Sequence, residues 1–374
     1  MLCMPYASPR MGRPPMRLRY CCFLIIEKLL KISGKYYHSM PKTKKALSKH
    51  SKAKKLHYRD EDIRWATSEV AAAYRAERLK CKVIVDIGCG IGFQSFAFAK
   101  TCKKVYAIEI DQEKITLAEK NAKILGWKNI EFIPGDALSD KVISQLKEVE
   151  IVFCDPERSP EEKQRNVATI KPSIPELLKR YSAITENIAI EFPPQITEIP
   201  FDCEREYLSV DGALNRLTLY FNGLKKSERS AVILPRKEKL CSDEEASLKK
   251  TEMLEEYLYE ADPAVVKADL LAELSEKTAA KLYGRGKNVF FTSDKKIQSP
   301  FFKNSFRVVE MCAQEEQEII AALQKHKAGK VILRFPVEPK EYWKVRKRFE
   351  SKLTGNKTYA LLYLGTEAVI VEKV

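Results

Sequence analysis

Three glycines and a series of carboxylates are spaced so that together they could seat a charged nucleoside. Asp86 leads Gly88, Gly90 and Gly92 at the end of the apolar, β-branched run Val83–Ile87. Glu109 closes the next apolar run twenty-one residues after Gly88, and Asp136 and Asp155 follow two further runs. Glycine lets a backbone adopt positive φ and approach a ligand closely. A carboxylate ending the second strand can accept both hydroxyls of a ribose, and Asp136 stands where an adenine amino group could donate. The dinucleotide fingerprint needs its third glycine where Phe93 stands, so the bulky ring argues against a pyrophosphate and a nicotinamide cofactor. Adenosine joined to a cationic amino acid fits the layout: S-adenosylmethionine, with Asp86 near its charged methionine end.

The elements that must position these residues alternate between strand and helix. Strand patterns at 83–87, 105–109, 130–133, 151–154 and 187–192 are separated by helical patterns at 93–100, 112–125, 141–147 and up to Tyr181. That alternation predicts βαβ units and a parallel sheet. Two more runs, 205–210 and 214–221, flank Asp211-Gly212, a hairpin turn signal. Ahead of the first strand, Ile63, Ala66, Val70 and Ala73 predict an amphipathic helix from about Tyr58.

Over residues 60–225 this arrangement resembles the class I S-adenosylmethionine-dependent methyltransferases. The resemblance implies a Rossmann-like α/β domain, with a seven-stranded, mostly parallel sheet ending in an antiparallel hairpin. It implies cofactor contacts at Asp86, Gly88, Gly90, Gly92, Glu109 and Asp136. Ala66-Thr67-Ser68-Glu69 is similar to the Thr-Pro-Glu element of trimethylguanosine-synthase-like and tRNA guanine-N2 methyltransferases, with Ser68 replacing the proline.

Amino-group methyltransferases carry an Asp/Asn-Pro-Pro-aromatic tetrad after the fourth strand. Its carboxylate and a backbone carbonyl accept the amine hydrogens and aim the lone pair at the donor methyl, while the aromatic ring stacks on the base. Alignment and desolvation then do most of the work. Here the sequence reads Asp155-Pro156-Glu157-Arg158. The accepting half is kept, which makes Asp155 and Pro156 the catalytic candidates. Arg158 could stack through its guanidinium plane or hold a phosphate, or it could form a surface ion pair with Glu157.

From Tyr257 onward, Ala261-Asp262-Pro263, Ser299-Pro300-Phe301-Phe302, Arg334-Phe335-Pro336 and Tyr342-Trp343 resemble the THUMP-like domain that follows the methyltransferase domain in a group of prokaryotic, including archaeal, proteins. The likeness implies a smaller C-terminal α/β domain and, by analogy with true THUMP domains, an RNA substrate. Residues 330–352 carry eight Lys or Arg against three Glu, with Tyr342, Trp343 and Phe349 interleaved. Lys344, Arg346 and Lys347 are therefore candidate RNA contacts, unless the helix simply buries one aromatic stripe under lysine stems.

The whole chain is compatible with this division. Its 374 residues exceed one ordinary core. The formal charge of +15 is concentrated at the front: residues 1–60 hold 15 basic groups and two acids, while the remainder is nearly neutral. Expected boundaries are a basic, disordered arm at 1–57, a methyltransferase domain at 58–236, an acidic linker at 237–256 and the THUMP-like domain at 257–374. The arm could bind phosphate backbones or remain a solvated tail. Met40 begins a typical soluble opening, which makes 1–39 read as an over-extended start. No run of residues is long and apolar enough to span a bilayer. The ten cysteines form no C-x-x-C pair and no zinc-ligand spacing, which predicts no metal and a reducing cytoplasm. The expectation is a cytoplasmic methyltransferase acting on structured RNA, tRNA foremost. A methyltransferase for a small molecule or protein, and a non-catalytic RNA-binding module, remain the alternatives.

Overall fold

The computed structural model describes residues 49–157, 167–285 and 288–374. Most of the basic arm lies outside the described residues. Its last stretch, residues 49–57, packs against the domain instead of trailing from it. A 3-10 turn over Ala53–Lys55 points Ala53 inward, and Leu56 follows three residues later on the same side. Both join an apolar cluster with Ile91, Phe93 and Phe96, while the intervening lysines face water.

The helix expected from Tyr58 is broken in two: α1 (Asp60–Trp65) and α2 (Glu69–Arg78), with Ala66 and Ser68 in extended backbone between them. Then β1 (Val83–Ile87), α3 (Phe93–Thr101), β2 (Lys104–Glu109), α4 (Gln112–Leu125), β3 (Ile130–Pro134), α5 (Asp140–Ile143), β4 (Ile151–Cys154), α6 (Ile174–Tyr181) and β5 (Ile188–Phe192) follow in turn. Asp111 starts α4 by accepting from the amides of Glu113 and Lys114, and Gly126 ends it in the left-handed region. The helix expected at 141–147 is only the four residues of α5.

β6 (Glu204–Val210) and β7 (Ala213–Tyr220) form the expected hairpin, with positive φ at Asp211 and Gly212. The sheet continues beyond the seven expected strands. β8 (Arg229–Leu234) pairs parallel to β6, and β9 (Glu238–Cys241) pairs with β8. The full order is β3-β2-β1-β4-β5-β7-β6-β8-β9. Lys239 helps tie the extension: it and Arg78 reach the buried Glu204 at 2.9 and 2.7 Å. Burial would raise that carboxyl, but Arg78, Ser230 and Lys239 hold it down at about 2.

The C-terminal residues build a second sheet, in the order β11-β12-β10-β13-β16-β15-β14. Its strands are β10 (Tyr257–Ala261), β11 (Lys281–Arg285), β12 (Val289–Ser293), β13 (Phe302–Ala313), β14 (Ala328–Leu333), β15 (Lys357–Leu364) and β16 (Glu367–Lys373). The sequence pattern over 264–283 predicts a single helix. Positive φ at Asp269 and Ala279 instead divides the segment into α7 (Pro263–Lys267), α8 (Leu271–Thr278) and the start of β11. α9 (Glu316–Lys325) and α10 (Tyr342–Glu350) cover one face of β14–β16. One continuous apolar core joins Tyr207, Leu217 and Ala231 of the first sheet, through Ala264 of α7 and Leu271 of α8, to Tyr259 and Phe291 of the second.

Candidate active site

The reversal of strand order between β1 and β4 opens a crevice at their carboxyl ends, as parallel α/β sheets generally do. The turn after β1 lies at its mouth. Gly88 has φ +76, and a Cβ there would stand 2.5 Å from the carbonyl oxygen of Asp155. Gly90 has φ +54 and nothing within 4 Å of its missing Cβ, which leaves an open cradle. Gly92 caps α3, and Phe93 begins it. The ring of Phe93 is 4% exposed and packs 4.9 Å from the His50 ring. The place of a dinucleotide motif's third glycine is thus filled with side chain, as the sequence spacing suggested.

The crevice is a cavity of about 680 Å³ whose wall includes Asp86, Gly88, Gly90, Glu109, Asp136 and Asp155. Gly92 is not part of the wall; a Cβ there would stand 2.5 Å from the Phe96 ring. Glu109 ends β2 with its carboxylate set by two amides: Oε2 accepts from Gly90 at 2.9 Å and Oε1 from Asp111 at 3.1 Å. Asp136 is exposed at the rim and accepts from the Leu138 amide at 2.9 Å. Asp155 follows β4, and its amide donates to the Ile87 carbonyl at 3.0 Å. Pro156 is buried beside it, while Glu157 is exposed and reaches Lys114 at 3.4 Å. Arg158 lies outside the described residues.

Asp86 is the most unusual group here. It is fully buried, Ser95 Oγ donates to its Oδ2, and its Oδ1 has no partner. Burial pushes its carboxyl up to about 7, with Ser95 opposing and the nearby Asp155 adding to the rise. The wall as a whole carries the acids Asp62, Asp86, Glu109, Asp136, Asp155 and Glu157 against Lys114, Lys171 and Arg216. Such a lining favours a cationic occupant.

Sequence reading missed several wall residues. α1 lies along the mouth: Arg59, just before it, donates to Asp62 Oδ1 at 2.9 Å and to Glu113 of α4 at 3.1 Å. That brings Asp62 and Trp65 into the wall. The only signal was Trp65 preceding the Ala-Thr-Ser-Glu element. Arg216 enters from β7 and pairs with Glu191 at the end of β5. Glu191 also binds Arg75 of α2, whose other nitrogen donates to Gln94 at 2.7 Å. A lone arginine in an apolar hairpin strand was the clue. Lys344, Arg346 and Lys347 lie on α10, away from this cavity. Lys344 and Lys347 are exposed, whereas Arg346 bonds Glu350 at 2.8 Å and sits 5.3 Å from the Trp343 ring centroid.

The unpartnered Oδ1 of a fully buried carboxyl and the open space at Gly90 are what a positively charged, closely approaching ligand would use. The donor set therefore fits S-adenosylmethionine.

Comparison with known proteins agrees. Residues 81–223 match the family model described as RNA cap guanine-N2 methyltransferase. The chain is 24% identical over 280 residues to an uncharacterized S-adenosylmethionine-dependent methyltransferase of Mycobacterium tuberculosis, covering 73% of this chain and 75% of that protein. It is 41% identical over 83 residues to an uncharacterized RNA methyltransferase of Oceanobacillus iheyensis, covering 21% and 18% of the two chains. The crystal structure of a putative methyltransferase from Porphyromonas gingivalis W83 superposes with a TM-score of 0.70 at 17% identity, covering 96% of this chain and 92% of that one. Its fold therefore extends over both sheets. The matched segment contains the crevice between β1 and β4, and these similarities support S-adenosylmethionine-dependent methyltransferase activity for the chain.

Proposed function

We propose that this methyltransferase acts on a nucleotide of structured RNA, tRNA foremost, and that Asp155-Pro156 positions the accepting atom. Asp86 would face the cationic methionine end of the cofactor, and Gly88, Gly90 and Gly92 would let the backbone close on it. Glu109 would accept the ribose hydroxyls and Asp136 would meet the adenine. When bound, S-adenosylmethionine supplies an electrophilic methyl group on a sulfonium.

The observation that carries the proposal is the placement of Asp155. It shares the cavity with Asp86 and Glu109, and its backbone is packed onto Gly88. An acceptor held there by the carboxylate and a backbone carbonyl would keep its lone pair directed and its hydrogens bonded. Asp155 would act by alignment and by stabilising the positive charge that develops on the acceptor.

Three things support RNA as the acceptor class. The matched family model is described for an RNA cap, a matching relative is named an RNA methyltransferase, and the second domain resembles THUMP-like domains. On α10, Lys344, Lys347 and Trp343 are exposed together, with Trp343 70% exposed, so the back domain offers charge and a ring on one helix. Arg346 would brace that surface through Glu350. Among the described residues no helix is long and apolar enough to cross a membrane, and the seven described cysteines are free thiols. A reducing cytoplasm suits the proposed substrate.

The test is to incubate the purified chain with methyl-labelled cofactor and total cellular RNA, then to digest the RNA and separate its nucleosides. Label in one modified nucleoside, lost in Asp155→Ala while calorimetric cofactor binding persists, is the expected result. Label appearing only in protein or small molecules would refute the RNA assignment. RNA retention with no transfer under any condition would mark a binding module instead.

A further inference from the structure

We infer that Trp65 is the platform on which the flat ring of the methyl acceptor stacks, supplying from α1 the aromatic surface that the residues after Asp155-Pro156 lack. The inference rests on the acceptor site proposed above and narrows its occupant to an aromatic heterocycle. Two aromatic side chains line the cavity among the described residues, Phe93 and Trp65. Phe93 is 4% exposed and spent on the core, whereas Trp65 is 53% exposed at the mouth. An indole left in water beside a ligand cavity offers a large apolar face whose burial is favourable once a ring covers it.

The course of α1 argues that this ring serves the acceptor and not the cofactor's adenine. At its start, Arg59 is tied to Glu113 and lies near Asp111, on the β2–α4 side where Glu109 stands. At its end, the Ala66 carbonyl accepts from Lys49 at 2.8 Å, and Thr67 lies with His50 and Phe93 over the start of α3. The helix thus crosses from the β2 side towards the β1–β4 side, and Trp65 is its last residue. The β2 side has an apolar wall of its own in Ile110, which is 68% exposed in the same cavity. Asp155 and Pro156 follow β4, on the side to which α1 runs. Arg64, with its guanidinium carbon 5.0 Å from the Trp65 ring centroid, holds a cation beside the platform.

The test uses the full chain saturated with S-adenosylhomocysteine and titrates each of the four ribonucleoside monophosphates while tryptophan fluorescence is followed. Wild type is compared with Trp65→Leu and Trp65→Tyr. At least one nucleotide should quench wild type, and the quenching should vanish in Trp65→Leu. In RNA methylation Trp65→Leu should raise the acceptor KM about tenfold, within the roughly five- to 150-fold that stacking on an aromatic ring is worth, and Trp65→Tyr should recover most of it. The dissociation constant of S-adenosylhomocysteine, by calorimetry, should stay within about twofold, since stacking is lost only on the acceptor side.

Nucleotides that leave wild type unquenched would overturn the inference. So would a Trp65→Leu variant that loses cofactor affinity and keeps its acceptor KM, because the ring would then belong to the adenine. If wild type labels no RNA but nucleotides still quench through Trp65, the RNA reading fails and the platform stands. If RNA is labelled and Trp65→Leu labels it with unchanged KM, the platform fails and the RNA reading stands.

Discussion

The carbonyl oxygen of Asp155 occupies the space that a side chain on Gly88 would need, 2.5 Å from the would-be Cβ. The glycine turn and the dipeptide proposed to position the acceptor are therefore in direct backbone contact, reinforced by the Asp155 amide on the Ile87 carbonyl. The proposed donor and acceptor subsites would thus be fixed against each other by main chain.

Gly88→Ala should consequently damage folding and activity together. The methyl group would push the β4 end away from the β1 turn and would also carry a strained positive φ, at a cost of at least about 1–3 kcal/mol. Gly90→Ala should separate the two effects. Its Cβ meets no protein atom, so denaturant unfolding should report only about 1–2 kcal/mol of backbone strain, while calorimetric cofactor affinity should fall sharply because the cradle is filled. Equal loss of stability in the two variants would contradict this account.

Asp86 predicts a pH dependence of defined sign. Its carboxyl sits at about 7 in the fold, well above the ordinary carboxylate value. The folded chain therefore keeps a proton between about pH 4 and 7 that the unfolded chain has released, and its contribution to stability falls as pH rises through that window. A cation favours the ionised form, so cofactor affinity should rise from about pH 6 to 8. Asp86→Asn should raise the apoprotein's Tm at about pH 8, weaken cofactor binding and flatten its pH profile. A pH profile unchanged by the substitution would show that another group controls binding.

How far the sequence disclosed this site depends on the range of the interactions involved. The positions of Asp86, Gly88, Gly90, Glu109, Asp136 and Asp155 around one cavity could be read because a parallel sheet places successive strand ends side by side, so spacing along the chain maps onto position in space. Trp65 and Arg216 could not, because they enter the cavity through contacts that no local period encodes: Arg59 with Glu113, and Arg216 with Glu191. The first seven strands followed from alternation and a turn dipeptide. β8 and β9 did not, since they are held by an ion network around Glu204 that joins α2 to the sheet. Residues 49–57 looked like a lysine tail because two small apolar contacts, Ala53 and Leu56, were hidden among charges. The break between α7 and α8 depends on Asp269 adopting positive φ, which composition does not announce.

Glu191→Gln should be among the most destabilising conservative changes in the chain. It leaves the fully buried Arg75 and the nearly buried Arg216 facing a neutral amide. Breaking such a buried pair costs about 3–5 kcal/mol. Urea unfolding of Glu191→Gln beside Arg75→Met/Glu191→Leu/Arg216→Met would check this, with the triple apolar variant expected to be the more stable of the two.

The basic face of α10 separates binding from bracing. Lys344→Glu with Lys347→Glu should weaken RNA retention and flatten its salt dependence, because each lysine paired with a phosphate releases counterions. Cofactor affinity and Tm should hardly move, since both side chains are exposed. Arg346→Ala should instead lower Tm through lost contacts to Glu350 and Trp343. Filter retention across a salt series, with thermal melts alongside, measures both.

The apolar core that runs unbroken from the first sheet through α7 and α8 into the second has a geometric consequence. Among the described residues, the first sheet and the β10–β12 side of the second share one packed interior, so an RNA of the proposed kind that touched both would meet a preset span between them.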